Sequence, residues 1–241
     1  MTSESVISHV YMFCSIPHPS LVEFGATLGV RGVIIDDEKF HASPEVVQSM
    51  CLAAEKWGLD TLMRLRIASS ERVEYALNLG IGTVLLPRLT TVEQIPPLCS
   101  SLAWPPHGTR GYGGSRATLF NIGKHERKPQ AQVIVETPEL LEKVEEVAAL
   151  KSVGGLDIGM LDLAAALRVP PELSNGTLGA AIDRVIRAAN AAGKPVGMTM
   201  PNLRTAREWG HRGLTHFVMD PLAMLRHFVK EDLRSLEGSS T

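Results

Sequence analysis

The feature that most constrains the fold of this chain is a regular alternation between short apolar runs and longer segments with helical periodicity. Each apolar run is rich in β-branched residues and is bounded by turn residues, which is typical of a buried strand. The predicted strands are 9–16, 31–37, 60–66, 82–88, 131–137, 155–159, 195–200 and 215–220. The predicted helices are 19–28, 44–57, 71–79, 91–103, 138–148, 177–192, 203–210 and 221–235, with a short one at 162–167. Such alternation indicates parallel strands joined by crossover helices.

Local signals support these boundaries. In the predicted helix 44–57, Ser43 is the N-cap, Pro44 is in the first turn and Glu45 is an early acidic residue. Gly58 follows the end of the same helix. The chain has 241 residues and no linker rich in Pro, Gly or Ser that would divide it. Because (β/α)8 barrels commonly run to about 250 residues as one domain, the pattern predicts a single barrel over residues 1–241. An open, doubly wound sheet is the alternative.

Composition excludes several classes of partner. The net charge is −2 and no basic stretch occurs, which argues against nucleic acid and against an anionic membrane surface. No apolar run approaches the roughly 18 residues of a membrane helix, and the amino terminus lacks the layout of a signal peptide. The cysteines Cys14, Cys51 and Cys99 are widely spaced within apolar runs, as expected for core residues of a cytoplasmic protein.

Polar residues gather where the predicted strands end. In a barrel of this type the active site lies at the carboxyl ends of the strands, so these residues are the candidates for function. They are Asp36, Asp37, Glu38 and Lys39 after the second strand, Arg64 in the third, Arg88 after the fourth, Glu136 ending the fifth, Asp162 after the sixth and Asp220 ending the eighth.

Glu136 and Asp162 follow neighbouring strands, and two converging carboxylates suit a hard divalent cation such as Mg2+ or Mn2+. Arg64, which keeps its charge, is suited to stabilise an oxyanion on a 2-oxo acid as an enolate forms. The alternative is that both carboxylates only cap the helices that follow them. Spacing alone leaves both interpretations open.

Six segments together resemble the HpcH/HpaI aldolase family of metal-dependent 2-oxo-acid aldolases. The most specific is WPPHGTRGYGGSRA, residues 104–117, which is similar to a Tyr-Pro-Pro-x-Gly-x-Arg-Gly-x-Gly loop of that family. The others are RGVIIDDEK, TLMRLR, ALNLGIGTVLLPRLTTVEQ, QVIVET and LDIGMLDLAAAL. They occur in the family's order over about residues 20–225, so the resemblance covers most of the chain and implies a (β/α)8 barrel.

The resemblance implies a role for individual residues. It makes Glu136 and Asp162 the ligands of a divalent metal, most commonly Mg2+, with Mn2+ or Co2+ as alternatives. It places Arg64 at the keto oxygen of the bound acid, and the backbone around Gly159, Met160 and Leu161 at its carboxylate. It also implies a small 2-oxo-acid substrate such as pyruvate or oxaloacetate, and a hexamer or trimer of dimers in which helix 221–235 is swapped between subunits.

This sequence departs from the family pattern at the proposed base. The position of the family's catalytic histidine is occupied by Lys39, and the nearest histidine is His41. Asp36 and Asp37 can orient Lys39, bind water held by the metal, or pair with Arg64 and Arg88. A charged lysine cannot accept a proton, so we expect Lys39 to pair with a carboxylate, and proton transfer to fall to His41 or to a metal-bound water.

Further departures are Ile134 in place of a glutamine, Met160 in place of a proline, and a shorter stretch over 117–130. Arg88 is suited either to bind a distal substrate carboxylate or to pair with an acidic neighbour such as Asp36.

The leading hypothesis is a metal-dependent carbon–carbon lyase that acts through an enolate of pyruvate or oxaloacetate. The alternatives are a non-catalytic member that binds a 2-oxo acid, and an enolate enzyme of specialised metabolism with a larger substrate.

Overall fold

Eight parallel strands close into a barrel in the computed structural model, which describes residues 9–122, 128–200 and 202–238. The strands pair in chain order, and β1 closes the barrel against β8. They are β1 (Val10–Cys14), β2 (Gly32–Asp36), β3 (Asp60–Arg64), β4 (Thr83–Leu86), β5 (Gln130–Val135), β6 (Gly155–Ile158), β7 (Val196–Met200) and β8 (His216–Met219). The predicted (β/α)8 barrel is therefore confirmed, and the open sheet is wrong.

Helices follow the strands and pack around the barrel. They are α1 (Pro19–Thr27), α2 (Pro44–Lys56), α3 (Ser70–Leu79), α4 (Ile95–Ser100), α5 (Pro138–Glu142), α6 (Val144–Ala149), α7 (Met160–Leu167), α8 (Gly176–Ala191), α9 (Ala206–His211) and α10 (Pro221–Gly238). Short 3-10 helices lie at Val92–Gln94 and Arg116–Asn121. None of the helices in the described part of the chain has both the length and the apolar character that a membrane crossing requires.

The helix ends follow from local chemistry. The Ser43 side chain accepts a hydrogen bond from the Val46 amide at 3.5 Å, so it caps α2. Gly80 ends α3 at a φ of 105°, in the left-handed region that glycine adopts without strain. Two predicted helices are shorter or interrupted. The helix over 91–103 reduces to α4 after a 3-10 turn, and the one over 138–148 breaks at Lys143 into α5 and α6.

The strands bury side chains on both faces, as parallel barrel strands do. The outward-facing residues pack against the helices in one large apolar layer. A second, smaller cluster fills the barrel itself, and its members are Ile34, Leu62, Leu85, Ile134 and Val218, with Tyr11 and Phe13 against them. This inner cluster closes the lower part of the barrel, which leaves a cavity above it at the carboxyl ends of the strands.

Candidate active site at the carboxyl ends of the strands

A cavity of about 340 Å3 opens at the carboxyl ends of the strands. This is within the range of about 300–1,000 Å3 found for small-molecule pockets. Its polar and charged lining residues are Arg64, Glu136, Asp157, Asp162, Thr199 and Asp220. Its apolar lining residues include Phe13, Ile34, Leu85, Ile134 and Val218. The cavity therefore gathers one cation and four carboxylates over an apolar base.

Glu136 stands directly after β5, where it is 7% exposed. Its Oε1 accepts a hydrogen bond from the Arg88 amide at 2.6 Å. Burial raises the pKa of this carboxyl above its usual range, the Arg88 amide opposes that shift, and the nearby Asp162 carboxylate adds to it. Two carboxylates that repel each other in one cavity form an environment that a bound cation would stabilise.

Gly159 lies between β6 and α7, beside Glu136. A Cβ at this position would lie 2.6 Å from the Glu136 Cβ and 2.7 Å from its Oε2. Any side chain at residue 159 would therefore displace the carboxylate. The absence of a side chain allows the backbone to approach Glu136 closely.

The amino end of α7 presents backbone amides to the same cavity. The first hydrogen bond within this helix runs from the Leu163 amide to the Gly159 carbonyl at 2.8 Å. The amides of residues 160–162 precede it and have no partner within the helix, as at any helix start. Since Gly159, Met160, Leu161 and Asp162 all line the cavity, this turn is suited to bind an anionic group such as a carboxylate.

Arg64 is held in place by acidic residues of the neighbouring strand β2 and of the loop that follows it. Its Nε and Nη2 donate to the two carboxylate oxygens of Asp36, both at 2.9 Å, and Asp36 is fully buried. Its Nε also lies 3.2 Å from Glu38 Oε2, and its Cζ lies 4.9 Å from the centre of the Phe13 ring. Burial by itself would lower the pKa of Arg64, but hydrogen bonding to Asp36 together with the charges of Asp36, Glu38 and Glu136 outweighs burial, and the pKa is raised. The guanidinium therefore stays charged and fixed.

The loop after β2 places the predicted base outside the cavity. Lys39 is exposed, and its Nζ lies 3.1 Å from Glu38 Oε1. His41 is also exposed, and its Nδ1 lies 2.8 Å from the Asp37 carbonyl oxygen. Neither residue is among those that line the cavity. The structure thus does not bring Lys39 or His41 together with Glu136 and Asp162 in this chain.

The remaining charges of this loop are paired within the protein. Arg88 forms an ion pair with Glu38, and its side chain is 62% exposed. Asp37 is buried and pairs with Arg66 at 3.2 Å and with Arg72. Of the three alternatives predicted for Asp36, the structure has the ion pair with Arg64. For Arg88, the acidic neighbour is Glu38 in place of Asp36.

Asp157 and His216 lie inside the barrel and are not among the site residues predicted from the sequence. Asp157 is 7% exposed, and burial raises its pKa to about 7. His216 Nε2 lies 4.0 Å from Asp157 Oδ2, and burial lowers the pKa of this imidazole to about 4. The sequence could have identified Asp157 as an inward-facing polar residue, because strand alternation within GLDIG puts residue 157 on the same face as Gly155 and Gly159.

The donor set of this cavity fits a hard divalent cation. Glu136 and Asp162 offer carboxylate oxygens, which is the chemistry that Mg2+ and Mn2+ prefer. Within the described residues, no three of the His, Cys, Asp and Glu side chains cluster in an arrangement able to hold a metal. The protein would therefore supply two of the metal ligands. Water and substrate oxygens would supply the other ligands, as is common for Mg2+.

A second cavity, of about 510 Å3, lies near the amino ends of β3 and β4, between α2, α3 and the 104–117 loop. Arg110 lines it, buried with its Cζ 4.7 Å from the centre of the Trp104 ring, and Arg116 pairs there with Glu55. This cavity is at the amino-terminal face, whereas catalytic residues of such barrels come from the carboxyl-terminal face. We therefore place the candidate active site in the smaller cavity.

Comparisons with known proteins agree with the fold and the motifs. The model of the HpcH/HpaI aldolase/citrate lyase family matches residues 10–216. The hydroxypyruvate/pyruvate aldolase of Delftia acidovorans is 28% identical over 204 residues, which cover 80% of this chain and 76% of that protein. The 2-keto-3-deoxy-L-rhamnonate aldolase of Escherichia coli K12 is 30% identical over 188 residues, which cover 73% of this chain and 69% of that protein.

Among solved structures, an HpcH/HpaI aldolase/citrate lyase family protein from Burkholderia cenocepacia superimposes with a TM-score of 0.85. The match covers 97% of this chain and 96% of that one, at 23% identity. At this identity the likeness supports the fold alone. The barrel is thus shared over nearly the whole of both chains.

Proposed function

The chain belongs to the HpcH/HpaI aldolase/citrate lyase family and is an aldolase-type lyase, and on that premise we propose that it forms or cleaves a carbon–carbon bond through an enolate of pyruvate or oxaloacetate. We further propose that it requires a divalent metal, most commonly Mg2+, with Mn2+ or Co2+ as alternatives. The named activities of the Delftia and Escherichia relatives support a 2-oxo acid as the substrate class.

One observation carries the proposal. A single cavity is lined by Arg64, Glu136, Asp162 and the first turn of α7. These groups come from β3, the residue after β5 and the first turn of α7, and the pairing of β3 to β6 as neighbouring strands brings them to one edge of the barrel. A cation, a pair of metal-ligating carboxylates and a set of helix amides are complementary to the carboxylate and keto oxygen of a 2-oxo acid.

In this proposal Glu136 and Asp162 would hold the metal, which supplies Lewis-acid polarisation of the keto group when it is bound. The amides of residues 160–162 bind the substrate carboxylate. Arg64 donates hydrogen bonds to the keto oxygen as negative charge develops there, and Asp36 keeps its guanidinium in one orientation. Enolate formation is thus assisted by a cation that needs no rearrangement during the reaction.

Lys39 does not serve as the base in this proposal. Its ammonium is exposed and paired with Glu38, and that carboxyl has a lowered pKa because hydrogen bonding to Lys39 and the charges of Arg64 and Arg88 outweigh its burial. The pairing agrees with the expectation of a charged Lys39. Proton transfer would then fall to water within the cavity, or to His41 if the 39–41 loop takes another position once subunits assemble.

A direct assay tests the function. Purified protein is incubated with pyruvate or oxaloacetate and a panel of aldehydes, with Mg2+, Mn2+ or Co2+ and with a chelator in parallel. We expect product formation that depends on the added metal and that falls to background in Glu136→Gln and Asp162→Asn. Turnover unaffected by chelation would exclude the metal-dependent reaction.

A second candidate function is a non-catalytic subunit that binds a 2-oxo acid. It is favoured by one observation, the position of Lys39 and His41 outside the cavity. It predicts that 2-oxo acids raise the melting temperature only when metal is present, while no panel member is turned over. An enolate enzyme with a larger substrate is the remaining alternative, and turnover restricted to bulky acceptors in the same panel would support it.

We also propose that the chain works as a homo-oligomer in the cytoplasm. Support for assembly comes from α10, whose Leu222, Leu225, Phe228, Val229 and Leu233 are each between 40% and 59% exposed. An apolar stripe of this length on a single helix is typical of a protein interface. A swapped α10 and a hexamer or trimer of dimers are the arrangement that we propose.

A further inference from the structure

The second cavity, at the amino ends of β3 and β4, carries an excess of positive charge. Among the described residues that line it, the charged ones are Arg110, Arg116, Lys128 and Glu55, so three cations face one carboxylate. The candidate active site has the reverse balance, because Arg64 is accompanied there by four carboxyl groups. In the absence of a metal, an anion would therefore be attracted to the second cavity and repelled from the first.

Arg110 is buried, and the hydrogen bond and ring contact that it makes are with neutral groups. It is 2% exposed, its Nη2 donates to Asn78 Oδ1 at 2.8 Å, and its Cζ lies 4.7 Å from the centre of the Trp104 ring. Its Nε has no hydrogen-bond partner among the described residues. Burial lowers the pKa of Arg110, and the charge of Glu74 acts in the opposite direction. A guanidinium in such surroundings is stabilised when an anion binds beside it.

Arg116 brings a second guanidinium to this cavity. Its side chain is 12% exposed and pairs with Glu55, which is itself exposed. Its Nε is buried and finds no hydrogen-bond partner in the part of the chain that the structure describes. Gly80 allows this close approach, because a Cβ there would lie 2.6 Å from Arg116 Nε. Two arginines of one cavity therefore each carry a buried N–H group that no described residue satisfies.

The rest of the cavity wall is largely apolar. The volume of about 510 Å3 is typical of a small-molecule pocket and is far more than an inorganic anion fills. The apolar lining residues include Leu59, Leu77, Ile81, Trp104 and Pro129. A complementary ligand would therefore combine an anionic group with a carbon-rich body.

We propose that this cavity binds a small phosphate monoester, with its phosphoryl group at Arg110 and Arg116 and its carbon body against the apolar wall. Arginine donates charge-assisted, often bidentate hydrogen bonds to phosphoryl oxygens. At neutral pH a phosphate monoester carries a charge of about −1.5 to −2, which balances the excess of positive charge among the described lining residues. The site is at the face of the barrel opposite to the candidate active site, so the inference does not depend on the proposed function.

Calorimetric titration of the metal-free protein tests the ligand class, because without metal the candidate active site does not attract anions. The probes are phenyl phosphate, inorganic phosphate and benzoate, which separate the phosphoryl group from the apolar body. We expect phenyl phosphate to bind about tenfold or more tightly than either of the other two. If benzoate binds as tightly, the cavity does not select a phosphoryl group, and if inorganic phosphate binds as tightly, it does not select an ester. Either result contradicts the proposal.

Variants of the lining residues test the location. We expect Arg116→Gln to weaken phenyl phosphate binding by about tenfold or more, and Lys128→Gln, at an exposed position, to weaken it by a smaller factor. Arg110→Gln should weaken it at least as much as Arg116→Gln. If Arg110→Gln does not fold, the other two variants still decide the question, because they change less buried side chains.

The matched control is Arg212→Gln. Arg212 also pairs with an aspartate and lies 3.9 Å from the centre of a tryptophan ring, but it is not among the residues that line the cavity. Its replacement should leave phenyl phosphate binding unchanged. Unchanged affinity in both Arg116→Gln and Lys128→Gln, or an equal loss in Arg212→Gln, would show that the anion binds elsewhere and that the proposed site is wrong.

Discussion

At the scale of single residues, the candidate site depends on which charges are fixed and which are free to move. Arg64 is anchored by two hydrogen bonds to Asp36 and one close contact with Glu38, whereas the Lys39 side chain is exposed and pairs with the other carboxylate oxygen of Glu38. Preorganised charges stabilise transition states more effectively than mobile ones. Arg64 is therefore the cation to which we assign the reaction.

Lys39→Ala should leave catalysis largely intact. The variant loses an exposed ion pair, which is worth at most about 1 kcal/mol, so we expect less than about a fivefold change in proton exchange at the methyl group of pyruvate. The measurement is deuterium incorporation followed by NMR, in the presence of Mg2+. Arg64→Lys is the comparison variant, and its exchange should fall by about a hundredfold or more because the two-pronged contact with Asp36 is lost. Complete loss of exchange in Lys39→Ala would make Lys39 the base.

Asp157 should also affect how stability depends on pH. Its pKa of about 7 lies above the ordinary value of 3.8, so the folded state holds the proton more tightly, and stability is lost as pH rises through about 7. His216 has the opposite effect, because its pKa is lowered to about 4 in the folded state. Its contribution to stability is lost as pH falls below about 6.5. Arg64 and Glu136 also influence Asp157, in opposite senses.

We therefore expect the free energy of unfolding of Asp157→Asn, relative to that of the wild type, to rise by on the order of 2 kcal/mol as pH is raised from 5 to 8. Denaturant unfolding at several pH values measures the difference, and the metal is omitted so that only the protein groups titrate. Asp60→Asn, which changes an aspartate at the start of β3, is the control and should show no comparable trend. A difference between Asp157→Asn and wild type that does not vary with pH would mean that Asp157 is not a buried carboxyl.

At the scale of elements, the sequence was sufficient for the barrel because each strand and helix has its own signal. The strand alternation and the cap at Ser43 place β2, α2 and β3 within one or two residues of their observed bounds. The break at Lys143 and the late start of α9 at Ala206 depend on packing, which periodicity does not report.

The site was only partly predictable for a related reason. Glu136, Asp162 and Arg64 stand at strand ends and carry family motifs, so their convergence could be expected. Asp157 stands within a strand, where a polar residue does not mark the end of a buried run. The loop after β2 is set by the ion pairs of Asp37 with Arg66 and Arg72, and these partners are 29 and 35 residues away in sequence.

The junction of β6 and α7 provides a test at this scale. In Gly159→Ala the added Cβ would lie 2.6 Å from Glu136 Cβ, so the carboxylate must move. We expect Mn2+ affinity to fall by about tenfold or more, and the melting temperature to fall as well, because Glu136 Cβ is close to the backbone and cannot move aside alone. Gly176→Ala is the matched control, because its Cβ would meet no atom within 4 Å. Equal Mn2+ affinities in the two variants would argue against a metal at Glu136.

At the scale of the whole molecule, α10 is the feature that a single chain leaves unexplained. Its apolar stripe faces solvent over most of its length. We predict that Leu225→Glu with Phe228→Glu converts an oligomer into monomers, because a charge buried in an apolar interface is strongly unfavourable. Light scattering gives the mass, and Lys230→Glu on the same helix is the control. A wild-type protein that is already monomeric would exclude the assembly.

The central claim is that a divalent metal is held between Glu136 and Asp162 with Arg64 facing the bound 2-oxo acid. The most direct measurement is a crystal structure with Mn2+ and oxalate, a planar mimic of the pyruvate enolate, using the anomalous signal of Mn2+ to locate the ion. The account predicts one anomalous peak in contact with both carboxylates, and oxalate between that peak, the Arg64 guanidinium and the amides of residues 160–162. A peak that contacts neither carboxylate, or oxalate bound at Lys39 and His41 instead, would contradict it.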